Sequence, residues 1–266
     1  MVTKFLRHFK LAVSFFKVSI ITAMEFRINF LAWSLLSIFW ASLLFIATEW
    51  TFGEVTSIAG WTKYEIMFII SIYLLFTGVL NSFIVPSLQY LSQTIRDGTM
   101  DFYIIKPVNV RFLMSVMKFS FDYHFKNVLS LVVVFYFLGK LQVSPNLGQW
   151  LAFGMMSVLG LAVFYNLFFI ATTTSFWLIN TSNLDFLFAE IMDAGKYPVN
   201  IFRGGLKVVF YYLLPIGFIA SFPASILLGK FDYSQLFYLL LFAGLTAFIS
   251  QKFWNFALKH YSSASS

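Results

Sequence analysis

Long stretches without a charged residue constrain this sequence more than any other feature. Six charge-free runs have 13 residues or more, and five of them are 19 to 44 residues long. A helix needs about 20 residues to cross the hydrocarbon of a bilayer, where charged side chains are costly. The runs therefore predict several membrane crossings. They are Ile28–Thr48, Ile66–Ile95, Asn127–Gly139, Leu141–Leu184, Val208–Gly229 and Tyr233–Gln251.

The composition excludes a water-soluble domain. Hydrophobic residues make up 60% of the chain and charged residues only 11%, whereas soluble domains carry about 25% charged residues. The mean hydropathy is +0.82. The chain has no cysteine, which excludes disulfides, cysteine-bound metals and thiol nucleophiles. We therefore expect an all-α integral membrane protein with a single transmembrane domain over residues 1–266.

Two of the runs do not correspond to one span each. The longest contains the turn cluster 144–148, and the residues after that cluster are too few for two crossings, so they predict one long helix over about 150–178. The shortest reaches crossing length when it is extended back to Phe121. Lys118, Asp122 and Lys126 then have an i, i+4, i+8 spacing and can pair on one helix face, while Lys126 can also snorkel toward the headgroups.

Charge asymmetry supports six spans. In that arrangement 15 Lys and Arg residues fall on one side and 3 on the other (Lys63, Lys140 and Lys230). The positive-inside rule then places both termini in the cytoplasm. The net charge of +7 is mostly an orientation signal, so we expect no nucleic-acid partner. The predicted spans cover about 28–48, 66–88, 121–141, 150–178, 206–229 and 233–252.

The first 27 residues predict an amphipathic helix lying in the cytoplasmic interface and contacting membrane lipids. Apolar residues form one stripe, and the basic residues Lys4, Arg7 and Lys10 lie away from it. Glu25 and Arg27 mark its junction with the first span. The helix is either a topology anchor or an elbow that clamps a cytoplasmic partner.

The loop over residues 89–120 is the most informative cytoplasmic segment. Gly98 ends a helix that continues from the second span, and Pro107 favours an extended residue before it. Between them, Thr99–Ile105 predicts a short amphipathic helix with Thr99 as its cap. This segment is either a docking knob for a partner or a solvated connector.

The fifth predicted span contains Pro215 and Pro223. Proline inside a span frees backbone carbonyls that need other partners. The span is either kinked, or its outer part folds back as a re-entrant gate. The preceding loop, Thr181–Gly205, predicts a second interfacial amphipathic helix on the cytoplasmic side.

Enzymatic chemistry is missing from the sequence. It has no G-x-x-x-x-G-K-[ST] phosphate loop, and its three histidines lack metal-ligand spacing. We therefore expect no catalytic residue, no metal site and no cofactor in this chain. No acidic residue or histidine lies deep in a span, which disfavours a proton-coupled carrier. Six spans with cytoplasmic knobs indicate a passive pathway driven by a separate ATPase.

Three motifs resemble one branch of the permease subunits of type-2 ABC exporters. Residues 95–101 have the sequence I-R-D-G-T-M-D and precede K-P-V at 106–108. Together they resemble the I-R-x-G-x-L-D…P-V pattern after the second span, with Met100 in place of Leu. The segment Lys196–Phe202 looks like the family's Y-P segment. Residues 214–224 look like its proline-paired fifth span.

The resemblance implies the ABC type-2 exporter permease fold in the plasma membrane of a prokaryote, with an elbow helix and a coupling helix within 93–107. It implies two ABC ATPase subunits that carry ATP and Mg, and a second permease copy or a related permease. Pro215 to Gly229 would form a re-entrant gate. We expect docking contacts from Arg96, Asp97, Gly98, Met100, Asp101 and Phe102. The alternatives are an ATP-independent membrane scaffold or assembly protein and a secondary carrier, and the substrate is not readable.

Overall fold

The computed structural model describes residues 2–53, 55–178, 182–232 and 234–261, with side chains 2–5 and 182–185 excepted. The described chain is almost entirely helical, apart from one short hairpin. The α-helices are α1 Val2–Glu25, α2 Arg27–Thr51, α3 Lys63–Phe83, α4 Val85–Arg96, α5 Asp101–Ile104, α6 Val110–Ser115, α7 His124–Lys140, α8 Leu147–Thr173, α9 Ser182–Asp193, α10 Gly204–Val208, α11 Ser221–Leu227 and α12 Ser234–Lys259. The hairpin pairs β1 (Ser57–Ile58) with β2 (Trp61–Thr62) in antiparallel register.

Four helices of the described residues are long and apolar enough to span a membrane. They are α2, α3, α8 with its short 3-10 extension, and α12. Helix α7 has 17 residues, and the fifth predicted span is not one helix. An all-α membrane protein is confirmed, while the count of six crossings stays a prediction.

Helix α3 forms the centre of the packing. In its most apolar window 78% of the residues are buried, against 11% for α2. It packs most extensively on α7, while α8 packs on α12. Helix α2 contacts this body through small residues seven apart, Ser34, Ala41 and Thr48, which are its buried residues. Small side chains let neighbouring backbones approach closely, as is common between membrane helices.

The third predicted span begins later than expected. Residues 118–121 are not helical, so Lys118, Asp122 and Lys126 do not share a helix face and the predicted ion pairing is wrong. The cause is competition for backbone groups. The Ser87 hydroxyl donates to the Lys118 carbonyl at 2.7 Å and accepts from the Lys118 amide at 2.9 Å. These bonds hold the segment against α4 instead of in a helical turn.

The loop after α8 also lies elsewhere than predicted. The Tyr73 hydroxyl, halfway along α3, donates to Asp193 Oδ1 at 2.8 Å. Gly195 packs against the Ile219 side chain. Residues 193–195 therefore lie beside the middle of α3 and not beyond its C-terminal end, where the sequence predicts them. Asp193 is tolerated there because Lys196 also pairs with its carboxylate.

The fifth predicted span, residues 206–229, is a hairpin of short helical segments and is distinct from the β1–β2 hairpin. Lys207 and Lys230, near its two ends, line one cavity of about 470 Å³ together with Trp61, which precedes α3. Its middle reaches much further along the molecule, because the Phe218 carbonyl lies 3.1 Å from where a Cβ would stand at Gly160 in α8. The segment therefore leaves and returns at the same end of α3.

Helix α11 forms the returning arm of this hairpin. Its residues are all buried, and the Ile226 carbonyl accepts a hydrogen bond from Gln149 Nε2 at 3.0 Å near the start of α8. Lys230 then pairs with Glu65 at 2.6 Å near the start of α3. Pro223 lies in the first turn of α11, where a missing amide hydrogen costs no helical bond. Pro215 comes after a π-helical turn over Val209–Leu213 and precedes the 3-10 turn Ile216–Phe218.

The close approach of α3 and α7 gives a stability prediction. A Cβ at Gly78 would lie 1.6 Å from Asn127 Oδ1, so we expect Gly78→Ala to destabilise the protein by about 1–3 kcal/mol through overpacking. The measurement is thermal unfolding of the detergent-solubilised protein. Gly244→Ala is the matched control, because a Cβ there meets nothing within 4 Å and its Tm should be equal or higher. Equal Tm values for Gly78→Ala and the unsubstituted protein would contradict the packing.

Candidate functional site

The segment after α4, residues 96–105, contains a short helix, as predicted. We call this segment the knob. Helix α4 ends at Arg96, and Gly98 adopts a left-handed φ of 65°, which glycine reaches without strain. Helix α5 comes next as one turn. The prediction of Thr99 as its cap is wrong, because the Thr99 hydroxyl donates to the Thr94 carbonyl at 3.2 Å and so fixes the turn to α4.

The knob presents both charged and apolar groups on its surface. Arg96 and Asp97 are exposed, and the side chains of Phe102 and Ile105 are 65% and 79% exposed. The burial of Met100 contradicts its prediction as a docking contact. The side chain is fully buried in the core and offers no docking surface. Its side chain anchors the knob instead.

Asp101 is half-buried and lies close to the C-terminal end of α12. Burial, assisted by the nearby Asp101 carboxylate, raises the pKa of the Tyr261 phenol. Tyr261 therefore stays neutral and packs next to the knob. No local pattern indicates this contact, since 160 residues separate the two positions.

A tyrosine pair fixes the knob to α4, and two lysines pack on the rings of that pair. The Tyr90 and Tyr103 hydroxyls share a hydrogen bond of 2.7 Å. Burial and this bond raise the pKa of Tyr103 to about 12. The ammonium groups of Lys106 and Lys118 lie over the rings of Tyr103 and Tyr90 at 4.7 and 5.1 Å, a favourable cation–π geometry. The knob is thus bound to α4 by polar contacts as well as by Met100.

Arg111 joins the segment that follows α5 to α8 and α12. It lies in α6, which Asn109 caps by accepting from the Phe112 amide at 3.0 Å. Its guanidinium donates to Asn166 of α8 at 2.9 Å, and to Ser250 and Gln251 of α12 at 2.8 Å each. It also lies 4.5 Å from the centre of the Phe169 ring. Sequence reasoning counted Arg111 only as a topological charge, because its partners are 55 to 140 residues away.

Helix α1 packs on the segments around α6. The ring of His8 meets Phe112 edge to face at 4.5 Å, and Phe16 meets Phe119 at 5.5 Å. The Phe119 amide donates to the Ser19 hydroxyl at 3.3 Å. The helix breaks at Phe26, between Glu25 and Arg27. Arg7, Lys10, Glu25 and Arg27 are exposed, and the side chain of Lys4 lies outside the described residues.

Within the described part of the chain, no group of three or more histidine and acidic side chains could hold a metal ion. The segments around α5 and α6 are held by packing, hydrogen bonds and cation–π contacts.

The Arg111 cluster generates a second prediction. Arg111→Met should destabilise the protein by about 1–3 kcal/mol, because it leaves the buried Asn166 amide oxygen without its donor. The measurement is again Tm in detergent. Arg96→Met removes an equal charge from an exposed position. It should change the free energy of unfolding by no more than about 0.5 kcal/mol, so its Tm should be nearly that of the parent protein. The Arg111 clamp would be refuted if both variants unfolded at the temperature of the parent protein.

Comparison with known proteins identifies the family. The model of the ABC-2 family transporter protein matches residues 10–265, nearly the whole chain. No curated protein and no solved structure matches significantly. The family consists of membrane components of ABC transporters, and the long apolar helices are compatible with that role. The chain belongs to the ABC-2 transporter family.

Proposed function

We propose that the protein is the membrane-spanning permease subunit of an ATP-driven exporter. The observation that carries this proposal is the family match over residues 10–265, together with an exposed knob bound to the spans. The coupling loop at 93–107 would dock on a separate ATPase subunit. Two such subunits would supply ATP and Mg, and a second permease, identical or related, would complete the pathway.

The contacts of the knob suggest how motion would reach the membrane. Phe102 and Ile105 supply an apolar docking surface, and Arg96 and Asp97 supply its charged rim. Movement of the docked ATPase would pass through Met100 and the tyrosine pair to α4. Arg111 would transmit it to α8 and α12. ATP would drive the switch by binding more tightly to one ATPase state than to the other.

The corrected position of the loop after α8 still supports cytoplasmic termini. The 15 basic residues assigned to the cytoplasm include Lys196, Arg203 and Lys207. If these three lie on the other side instead, 12 Lys and Arg residues remain on the cytoplasmic side and 6 lie on the outer side. The positive-inside rule still favours the same orientation. We place the protein in the plasma membrane of a prokaryote, with helix α1 as an elbow at the inner surface.

Pro215 to Gly229 would form a re-entrant gate at the outer face. The hairpin that contains it has Lys207 and Lys230 near the start of α3, and Phe218 reaches Gly160. Glu65 and Lys230 would hold the gate to α3 through their 2.6 Å ion pair. Such a short, largely buried hairpin can change the outer opening without moving a whole span.

Cysteine accessibility tests the orientation and the hairpin. The chain has no cysteine, so single variants report one position each. We expect Lys207→Cys to react with a membrane-impermeant maleimide in intact cells, because Lys207 is exposed beside the outer cavity. Lys106→Cys is the matched cytoplasmic control and should react only after permeabilisation. Protection of Lys207→Cys in intact cells would restore the cytoplasmic position that the sequence predicted.

Docking is tested on the exposed apolar pair. The double variant Phe102→Ala with Ile105→Ala should lower ATPase capture from native membranes and substrate-stimulated ATP hydrolysis by tenfold or more, since interface aromatic anchors are worth about 2 kcal/mol. Trp50→Ala is the control, because Trp50 lies near the C-terminal end of α2 and is 87% exposed. This variant should change neither ATPase capture nor ATP hydrolysis. Unchanged capture in the double variant would disprove docking at the knob. Finding no ATPase with the parent protein would shift the assignment to a membrane scaffold.

A further inference from the structure

Lys126 is a buried cation that the coupling scheme does not use. It is the third residue of α7, and its side chain is only 7% exposed. Among the described residues it pairs with no carboxylate. Its nearest favourable contact is the Tyr123 ring, 5.1 Å from Nζ. A buried ammonium without a counter-charge is costly, and ionisable residues inside membrane proteins generally mark ligand or ion sites.

The neighbouring helix is shaped around this lysine. A Cβ at Gly78 in α3 would stand 1.6 Å from Asn127 Oδ1 and 3.3 Å from Lys126 Cε, so glycine leaves room for Asn127 and for the aliphatic stem of Lys126. The sequence predicted that Lys126 would pair with Asp122 or snorkel to the headgroups. Neither occurs, and the side chain turns inward to line a cleft of about 940 Å³.

The cleft has both polar and apolar lining residues. Lys126, Asn81 and Ser120 are among the polar ones, while Trp33, Leu36 and Trp40 of α2 form an apolar stretch. The three α2 side chains are 54%, 40% and 62% exposed, so this stretch continues onto the lipid-facing surface of α2. A molecule from the bilayer could enter along α2 with its chain on the tryptophans.

The other four charged side chains that line the cleft are less buried than Lys126. The Asp193 carboxylate accepts from Tyr73 and pairs with Lys196. Asp122 accepts from the Ser120 hydroxyl at 3.0 Å. Glu190 is exposed on α9. Lys126 is therefore the buried charge of this cleft that a ligand would neutralise.

We infer that the cleft between α2, α3 and α7 binds an amphiphile with an anionic head group, a phosphate or a carboxylate. The head group lies at Lys126, and the hydrocarbon chain lies along Trp33, Leu36 and Trp40. A volume of about 940 Å³ suits a single-chain amphiphile, since ligand pockets measure about 300–1,000 Å³. Binding at this site is independent of ATP. That the amphiphile is also the exported cargo rests on the proposed function.

Binding is measured on the full chain, purified in a neutral detergent without any ATPase. The probes are lysophosphatidylglycerol, which is anionic, and lysophosphatidylcholine, which is zwitterionic, with the same acyl chain. Native mass spectrometry over a titration gives both affinities. We expect at least tenfold tighter binding of the anionic probe. Lys126→Met should abolish that preference, and Lys126→Arg should keep it.

Two further variants make the test decisive. Lys140→Met removes the same charge from the exposed end of α7 and should keep the preference. Ser37→Phe on α2 narrows the cleft but leaves Lys126 in place, so it should weaken the binding of both probes. This variant keeps the site testable if Lys126→Met fails to fold. An unchanged preference in folded Lys126→Met, unchanged binding in Ser37→Phe, or no preference in the parent protein would overturn the inference.

The source of the amphiphile is decided with the reconstituted ATPase. Stimulation of ATP hydrolysis by lysophosphatidylglycerol, lost in Lys126→Met, identifies the amphiphile as cargo. Lys126-dependent binding without stimulation identifies a resident membrane lipid. Both results support the site, and only the first also supports export. Failure of the proposed function alone would leave the binding preference intact.

Discussion

Backbone polar groups in an apolar body must all find hydrogen-bond partners, and this requirement shapes the whole structure. Most are satisfied inside helices. Where the chain leaves a helix within the packed region, a side chain or another backbone group takes over. Ser87 does so for Lys118, and Gln149 does so for the Ile226 carbonyl. These substitutions allow the breaks after α6 and within the hairpin over residues 207–230, which contains the proposed gate.

Hydropathy and charge spacing predict the regular part of the fold. Helices α2, α3, α8 and α12 coincide with long charge-free runs, because excluding charge from the bilayer is a local property of the sequence. The break at Gly98 is equally readable, since a left-handed turn selects glycine locally. The family resemblance rests on motifs spread over the whole chain, and membership is confirmed by the match to the ABC-2 transporter family.

Two of the errors share one physical cause. Residues 118–121 and 193–195 leave the predicted positions because side chains distant in sequence, Ser87 and Tyr73, bind their polar groups. The role of Arg111 is not predictable because its acceptors are amide and hydroxyl groups, which carry no charge pattern. The prediction of Met100 as a docking contact is wrong because composition does not show which face of one helical turn is buried. Local patterns thus predict helices, whereas long-range polar contacts decide where the segments between them lie.

Helix α3 connects the two ends of the molecule. Its first residues hold the outer hairpin through Glu65, and its last turn leads at Ile84 into α4, which carries the knob. A helix of 21 residues is about 30 Å long and resists compression. In the proposed function, an axial displacement applied to the knob would therefore arrive at the hairpin over residues 207–230 with little loss. The junction at Ile84, with Pro86 just after it, is where bending would instead absorb the displacement, so the stiffness of this one joint would set how much of the displacement crosses the molecule.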